Sequence, residues 1–242
     1  MKKLFLTTIV TLLVANFQLL KAQDATSILK KVDEQTSGWK DLWQNVEITL
    51  IDKNNKQETR TADIIQKGDD MRLLKFTSPE SQKGVGFLSL PNEVMYLYMP
   101  AFGKERRIAT SVKNQKFAGT DLSYDDLEAK KYSEKYKATI SKSDAKEFTL
   151  VLTPKTAGEY SKVILVVDAQ NYTPKAADFY DKSNKIVKST TFVFAKSVKY
   201  WYAETLTVKD LKTSHTTTVK TKNVKFDQNL KDDLFTIRNL MK

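Results

Sequence analysis

The chain has 242 residues, 40 Lys+Arg against 29 Asp+Glu, a formal net charge of +11 and 40% apolar side chains, a balance that suits folded domains and excludes disorder and collagen. Cysteine is absent and histidine occurs once, at His215, which excludes disulfides, thiolate catalysis, iron–sulfur clusters and zinc sites built on Cys or several His. No cofactor is expected, and with no composition break or repeat along the chain one domain is expected.

Residues 1–22 run from Met1-Lys2-Lys3 through the apolar stretch Leu4 to Ala15 to Leu20-Lys21-Ala22, the order of a secretory signal, with cleavage expected after Ala22. Asn16 and Gln18 stop the run short of the ~20 apolar residues a membrane helix needs. No cysteine follows that could take a lipid, so residues 23–242 are expected as a soluble, non-lipidated product, periplasmic in a bacterium with two membranes. Cleavage takes away three lysines and no acid, so the charge falls from +11 to +8 over the remaining 220 residues. Outside the cytoplasm such a charge points to anionic headgroups, cell-wall polymers or an acidic partner and not to nucleic acid; simple solubility is the alternative.

Asp24 to Glu34 places Ile28, Leu29 and Val32 at helical spacing behind Asp24 and Thr26 as caps. From about Val46 the period becomes two, with Val46, Ile48 and Leu50 alternating with Glu47 and Thr49. Asp52 to Lys56 turns the chain into Glu58 to Lys67, and Gly68-Asp69-Asp70 turns it into Met71 to Phe76. Later strands are expected at Glu147 to Leu152, Lys162 to Val167, Pro174 to Tyr180, Ile186 to Phe194, Trp201 to Val208 and Thr216 to Phe226. The count is 11–13 strands with few helices. Pro100 to Lys131 departs from this rhythm and reads as a flap or lid, with Thr120 or Asp121 capping a short helix through Leu122 and Leu127.

A sheet this wide cannot stay flat, because its twist accumulates until it splits, closes or curls. Several strands, such as Val163 to Val167 and Phe192-Val193-Phe194, are apolar on both faces and need cover on both. One helix and one flap are too little to fill the hollow of a curled sheet, so a cavity lined by Met, Leu, Phe and Tyr is expected, with a filled sandwich as the alternative. Such a wall suits hydrocarbon, since each CH₂ removed from water contributes ~0.8 kcal/mol. Along Val94 to Met99, the residues Met95, Leu97 and Met99 share one face and Tyr96 and Tyr98 the other. That Met/Leu face, with Phe87, Phe102, Phe117 and Tyr124, forms the expected binding wall, or else plain core. Lys104, Arg106 and Arg107 beside the mouth read as a docking surface for headgroups or an acidic partner, or as a solvated loop. Trp39 and Trp43 either line the entrance or anchor the helix to the sheet.

Enzyme readings fare poorly. His215 lies among hydroxyls in Thr213-Ser214-His215-Thr216 without a Gly-x-Ser-x-Gly turn, and Gly84-Val85-Gly86 lacks the rest of a phosphate loop and fits a bulge or close packing better. The acid pairs Asp69-Asp70, Asp125-Asp126 and Asp232-Asp233 stand at turns or helix starts, where aspartate caps. No enzyme activity is expected.

Several blocks in order resemble the LolA-like outer-membrane lipoprotein-sorting protein family. They are Lys83-Gly84-Val85-Gly86-Phe87-Leu88-Ser89, the run Met95-Tyr96-Leu97-Tyr98-Met99-Pro100-Ala101-Phe102-Gly103-Lys104-Glu105-Arg106-Arg107-Ile108, and Phe117-Ala118-Gly119-Thr120-Asp121-Leu122-Ser123-Tyr124-Asp125-Asp126-Leu127. Tyr160-Ser161-Lys162-Val163, Tyr172-Thr173-Pro174-Lys175, Phe179-Tyr180-Asp181-Lys182 and the ending Asp232-Asp233-Leu234-Phe235-Thr236-Ile237-Arg238-Asn239-Leu240 continue the match. The resemblance implies a single, strongly curved antiparallel sheet, a half-open β-barrel with a helical lid over its concave face, that carries lipoproteins or lipids between membranes. It also implies an arginine inside the barrel that tethers the lid, with Arg60 and Arg72 as the two candidates. The expected function is therefore a periplasmic, monomeric carrier or chaperone for acyl chains, served by an inner-membrane transporter and an outer-membrane acceptor. A periplasmic adaptor or sensor whose basic face binds a membrane transporter or an anionic polymer is the alternative.

Overall fold

The side-chain carboxylate of Asp24 accepts from the Ser27 N–H at 2.9 Å and starts the first helix, α1 (Ala25–Ser37). Ile28, Leu29 and Val32 are buried on one face of it, as their spacing requires. The computed structural model describes residues 24–242; the expected signal, residues 1–22, lies outside the described residues.

After Gly38 the chain enters thirteen strands of one antiparallel sheet. The first six are β1 (Asp41–Ile51), β2 (Gln57–Lys67), β3 (Met71–Ser78), β4 (Gly86–Leu90), β5 (Val94–Met99) and β6 (Lys104–Arg107). The other seven are β7 (Tyr136–Ser143), β8 (Glu147–Pro154), β9 (Lys162–Asp168), β10 (Pro174–Tyr180), β11 (Ile186–Ser197), β12 (Tyr200–Asp210) and β13 (His215–Phe226). Each run is a meander of hairpins, and β1 pairing with β13 joins them, giving the order β6-β5-β4-β3-β2-β1-β13-β12-β11-β10-β9-β8-β7. The sheet does not close: β6 and β7 are its free edges. This is the mainly β, curved sheet expected from the strand count, half-open as the family resemblance implied.

Alternation decides which face is inside. On β1, Val46, Ile48 and Leu50 are buried, and with Ala62, Leu74, Phe76, Phe87 and Met95 they form one inner cluster. The second inner cluster joins Ile28, Leu29 and Val32 of α1 to Leu150, Leu152, Val163, Leu165 and Val167 of β8 and β9. The outer face of β3 to β5 is covered by the C-terminal segment, a 3-10 turn (Asp232–Leu234) followed by a helix (Ile237–Met241). There Leu73 and Leu88 pack with Phe235 and Leu240, and Tyr96 and Tyr98 lie against them.

Gly86 explains part of the glycine motif. A Cβ there would stand 2.8 Å from Leu240 Cδ1 and 3.2 Å from the Leu74 carbonyl oxygen, so glycine is what lets the terminal helix touch the sheet. Close packing accounts for the motif without any phosphate.

Pro100 to Lys131 is not one continuous lid. Its first part is a 3-10 turn (Pro100–Phe102) and the edge strand β6. Residues 108–135 form the lid proper, which carries α2 (Tyr124–Leu127) and α3 (Tyr132–Lys135) between the two free edges. The cap of α2 is Ser123, not Thr120 or Asp121. Ser123 Oγ accepts from the Asp126 N–H at 3.1 Å, while Asp126 accepts from the Ser123 N–H at 2.8 Å, a reciprocal capping box. Thr120 spends its hydroxyl on the Phe117 carbonyl at 2.7 Å, and Asp121 is engaged across the barrel.

Candidate functional site: the lid and the cavity beneath it

Residues from both halves of the sheet hold the lid. From β2, Arg60 is buried and donates from Nη1 to the Ala118 carbonyl at 2.6 Å while its Nε donates to Glu58 at 2.7 Å. From β3, Arg72 donates from Nη1 to the Leu127 carbonyl at 2.9 Å and from Nε to Gln66 at 2.9 Å. Both candidate arginines thus reach the lid. Burial pulls the Arg72 guanidinium down to about 10, opposed by the nearby Glu128 carboxylate, and it remains a cation at neutral pH.

The other half contributes ion pairs. Lys188 of β11 places Nζ 2.9 and 2.8 Å from the two carboxylate oxygens of Asp126 in α2. Burial pushes the Asp126 carboxyl up, but Lys188 and the Ser123 donors outweigh it, so its pKa lies below the ordinary aspartate value. Asp121, buried, accepts at Oδ2 from Thr217 Oγ1 at 2.8 Å and lies 2.6 Å from His215 Nδ1, with Lys116 on its other oxygen at 2.7 Å. His215 is therefore a strand-end partner of the lid. Asp33 of α1 accepts the Tyr132 and Ser133 N–H groups at 2.8 and 3.0 Å and so joins the first helix to α3.

Beneath α2, α3 and the end of α1 lies a cavity of about 310 Å³, within the ~300–1,000 Å³ of small-molecule sites. Its sheet wall is aromatic and aliphatic: Leu42 of β1, Phe179 of β10, Phe192 and Phe194 of β11, and Trp201, Tyr202 and Leu206 of β12, with Trp39 beside them. The opposite wall is charged, with Asp33 from α1 and Asp125, Asp126, Glu128, Lys131 and Lys135 from the lid. A polar cleft of about 560 Å³ adjoins it, sharing Asp125, Glu128, Lys130, Lys135 and Tyr136. In that cleft Glu93 pairs with Lys113 at 2.9 Å and Lys130 at 2.6 Å. An amphiphile therefore finds a hydrocarbon surface on the sheet side and polar partners on the lid side.

The wall expected from sequence lies in the other half of the barrel, and the lid fills it. Phe87 and Met95 are fully buried, Phe117 and Tyr124 of the lid are buried against them, and Leu97 and Met99 pack at the margin of the same cluster. Phe117 stacks on Phe76 with centroids 5.5 Å apart, and Tyr124 on Phe87 at 6.1 Å. These residues bear on the cavity only by seating the lid. Phe102 is separate from them: it is 71% exposed, because Pro100 and Gly103 (φ 61°) turn the chain outward.

Lys104, Arg106 and Arg107 lie exposed on the edge strand β6. Pairing opposite Met99 and Leu97 puts Lys104 and Arg106 on the inner side, and pairing opposite Tyr96 puts Arg107 on the outer side. Trp39 lines the cavity, whereas Trp43 belongs to a groove on the outer face. Sequence reasoning passed over Phe179, Trp201 and Leu206. Their signal is a set of apolar positions on β10 to β12 faced by a lid segment rich in charge.

The fold is shared with solved bacterial proteins. A domain from Vibrio parahaemolyticus, assigned as an outer membrane lipoprotein-sorting protein domain, is 25% identical with a TM-score of 0.83, over 90% of this chain and 98% of its own. A DUF1329 family protein from Desulfovibrio piger is 23% identical with a TM-score of 0.83, over 89% of this chain and 97% of its own. A LolA superfamily protein from Nitrosomonas europaea is 22% identical with a TM-score of 0.75, over 89% of this chain and 99% of its own. No curated protein matches the chain. The model of a family described as "-like: Uncharacterized protein" matches residues 68–242.

The chain belongs to the family of that model, and it shares its fold with the LolA superfamily structure. Among the described residues, no helix is long and apolar enough to cross a membrane.

Proposed function

We propose that the protein is an exported, periplasmic carrier or chaperone that holds acyl chains of lipoproteins or lipids in the cavity under the lid. It passes them from an inner-membrane donor to an outer-membrane acceptor. The observation that carries this reading is the one-sided cavity, with Phe192, Phe194, Trp201 and Leu206 on a fixed sheet wall and a separately tethered lid opposite. Burying six CH₂ groups there contributes roughly 5 kcal/mol, enough for reversible capture. The lid is held by hydrogen bonds and ion pairs that a membrane or a partner can exchange for its own, so release needs no covalent step. Lys104 and Arg106 on the free edge supply a basic contact for an acidic partner. The Vibrio relative, assigned to lipoprotein sorting, fits this reading.

The test is mass spectrometry of lipids extracted from protein purified without detergent from its own cell envelope. Acyl-bearing species in near-stoichiometric amount are expected. An empty extract, with tight binding to a membrane transporter, contradicts the carrier reading and favours an adaptor.

A further inference from the structure

The hairpin joining β11 to β12 turns in two residues, Val198 and Lys199, between the paired Ser197 and Tyr200. Val198 has φ 56°, and Lys199 is not among the residues with positive φ, the pattern of a turn whose first central position belongs to glycine. Every other non-glycine residue with positive φ among the described residues lacks a β-branch, and Asn and Asp hold five of those nine positions. A β-branched residue in that region is a true outlier. Val198 is also 94% exposed, so no contact within the fold repays its conformation.

Its neighbours have the chemistry of a membrane interface. Lys196 and Lys199 flank the tip, their ammonium groups 5.7 Å from the Trp201 ring and 4.8 Å from the Tyr200 ring. Asp227 is the nearby acid: it accepts from Tyr200 Oη at 2.7 Å, lies 4.0 Å from Lys199 and takes the Lys40 N–H. Phe194, Trp201 and Tyr202, all within four residues of Val198, line the 310 Å³ cavity. An aliphatic tip with lysines and aromatic rings beside it offers apolar, interfacial and cationic groups to the acyl, interfacial and anionic headgroup regions of a bilayer.

We propose that the β11–β12 tip is the surface by which the protein touches an anionic lipid bilayer, with Val198 entering the acyl boundary and Lys196 and Lys199 meeting lipid phosphates. The tip then sets the cavity's aromatic rim against the membrane. This role in loading rests on the carrier reading, but the contact itself is measured apart from it.

Because the chain has no cysteine, Val198→Cys provides a unique site for an environment-sensitive dye, with Leu211→Cys as a control at the β12–β13 turn on the opposite rim. With vesicles of equal parts phosphatidylcholine and phosphatidylglycerol, the dye at 198 is expected to shift to the blue and the dye at 211 to stay unchanged. In the unlabelled protein, Val198→Gly is expected to weaken vesicle binding roughly tenfold, the loss of one buried aliphatic side chain, while its melting temperature holds or rises as strain is relieved. The combined Lys196→Glu and Lys199→Glu change is expected to abolish binding. Equal dye responses at the two ends, or vesicle binding by Val198→Gly equal to wild type, overturns the proposal. Vesicle binding by a wild type that takes up no fatty acid sinks the carrier reading and leaves the contact standing.

Discussion

Lys188 of β11 and Asp126 of α2 form an ion pair at 2.8 Å inside the barrel, 62 residues apart in sequence. The ammonium also lies over the ring of Phe179, 4.1 Å from its centroid, on the cavity wall. One pair thus couples the seat of the lid to the proposed site. Removing one partner leaves a largely buried charge uncompensated, which costs about 3–5 kcal/mol in comparable pairs. Lys188→Met alone is expected to lower the unfolding free energy from urea titration by that amount. Lys188→Met with Asp126→Leu is expected to recover part of it, as double-mutant unfolding curves would show.

Arg60 and Arg72 hold the lid at two separate points, Ala118 and Leu127. Arg72→Leu is expected to speed hydrogen exchange of amides 120–128 by about tenfold, the loss of one charge-assisted bond. Exchange in β8 and β9, which pack against α1, is expected to stay unchanged. Uniform acceleration across all strands would mean that Arg72 supports the whole fold and not the lid.

Acid should loosen the lid at the polar cleft. Hydrogen bonds from Lys130 and then Lys113 hold the Glu93 carboxyl down at about 2, against its ordinary 4.5. A depressed acid stabilises the fold above its unfolded value, and that contribution disappears as pH falls from about 4.5 through about 2. Burial dominates at Asp33 and raises its pKa, so its dependence runs the opposite way. A dye on Ser111→Cys, in the lid, is expected to report a transition in that acidic window. Glu93→Gln is expected to remove the step.

Two phenylalanines separate stability from binding. Phe87 is fully buried beneath Phe117 and Tyr124, so Phe87→Ala is expected to cost about 3–5 kcal/mol. Phe194 is half-buried on the cavity wall. Phe194→Asp is expected to leave the melting temperature within a few degrees and to reduce fatty-acid uptake at least tenfold. Calorimetry and a binding titration on the same two proteins check both outcomes.

The inner strands were legible in the sequence because burial of one face imposes a period of two. Val46, Ile48 and Leu50 on β1 and Val163, Leu165 and Val167 on β9 show it plainly. The edges were not: β6 reads Lys-Glu-Arg-Arg and is exposed throughout, so no alternation marks it. Met95 and Phe87 were rightly placed on the inner face, but an inner face can be covered by cavity or by lid, and local pattern does not distinguish the two. That depends on where Phe117 and Tyr124 dock, which is fixed by pairs such as Lys188–Asp126 and His215–Asp121, the latter 94 residues apart. Capping was open to local reasoning. Ser123 followed three residues later by Asp126 is a capping-box spacing, and competition from the partners of Thr120 and Asp121 left Ser123 as the only free cap.

Energy transfer from tryptophan to a polyene fatty acid tests the account most directly, since Trp39 and Trp201 line the cavity and Trp43 lies on the outer face. Saturable transfer at one fatty acid per chain is expected, unchanged in affinity by Trp43→Phe on the outer face and weakened at least tenfold by Phe194→Asp on the cavity wall. Transfer that never saturates, or whose affinity Phe194→Asp leaves unchanged, would contradict the claim that the hollow under the lid holds an acyl chain.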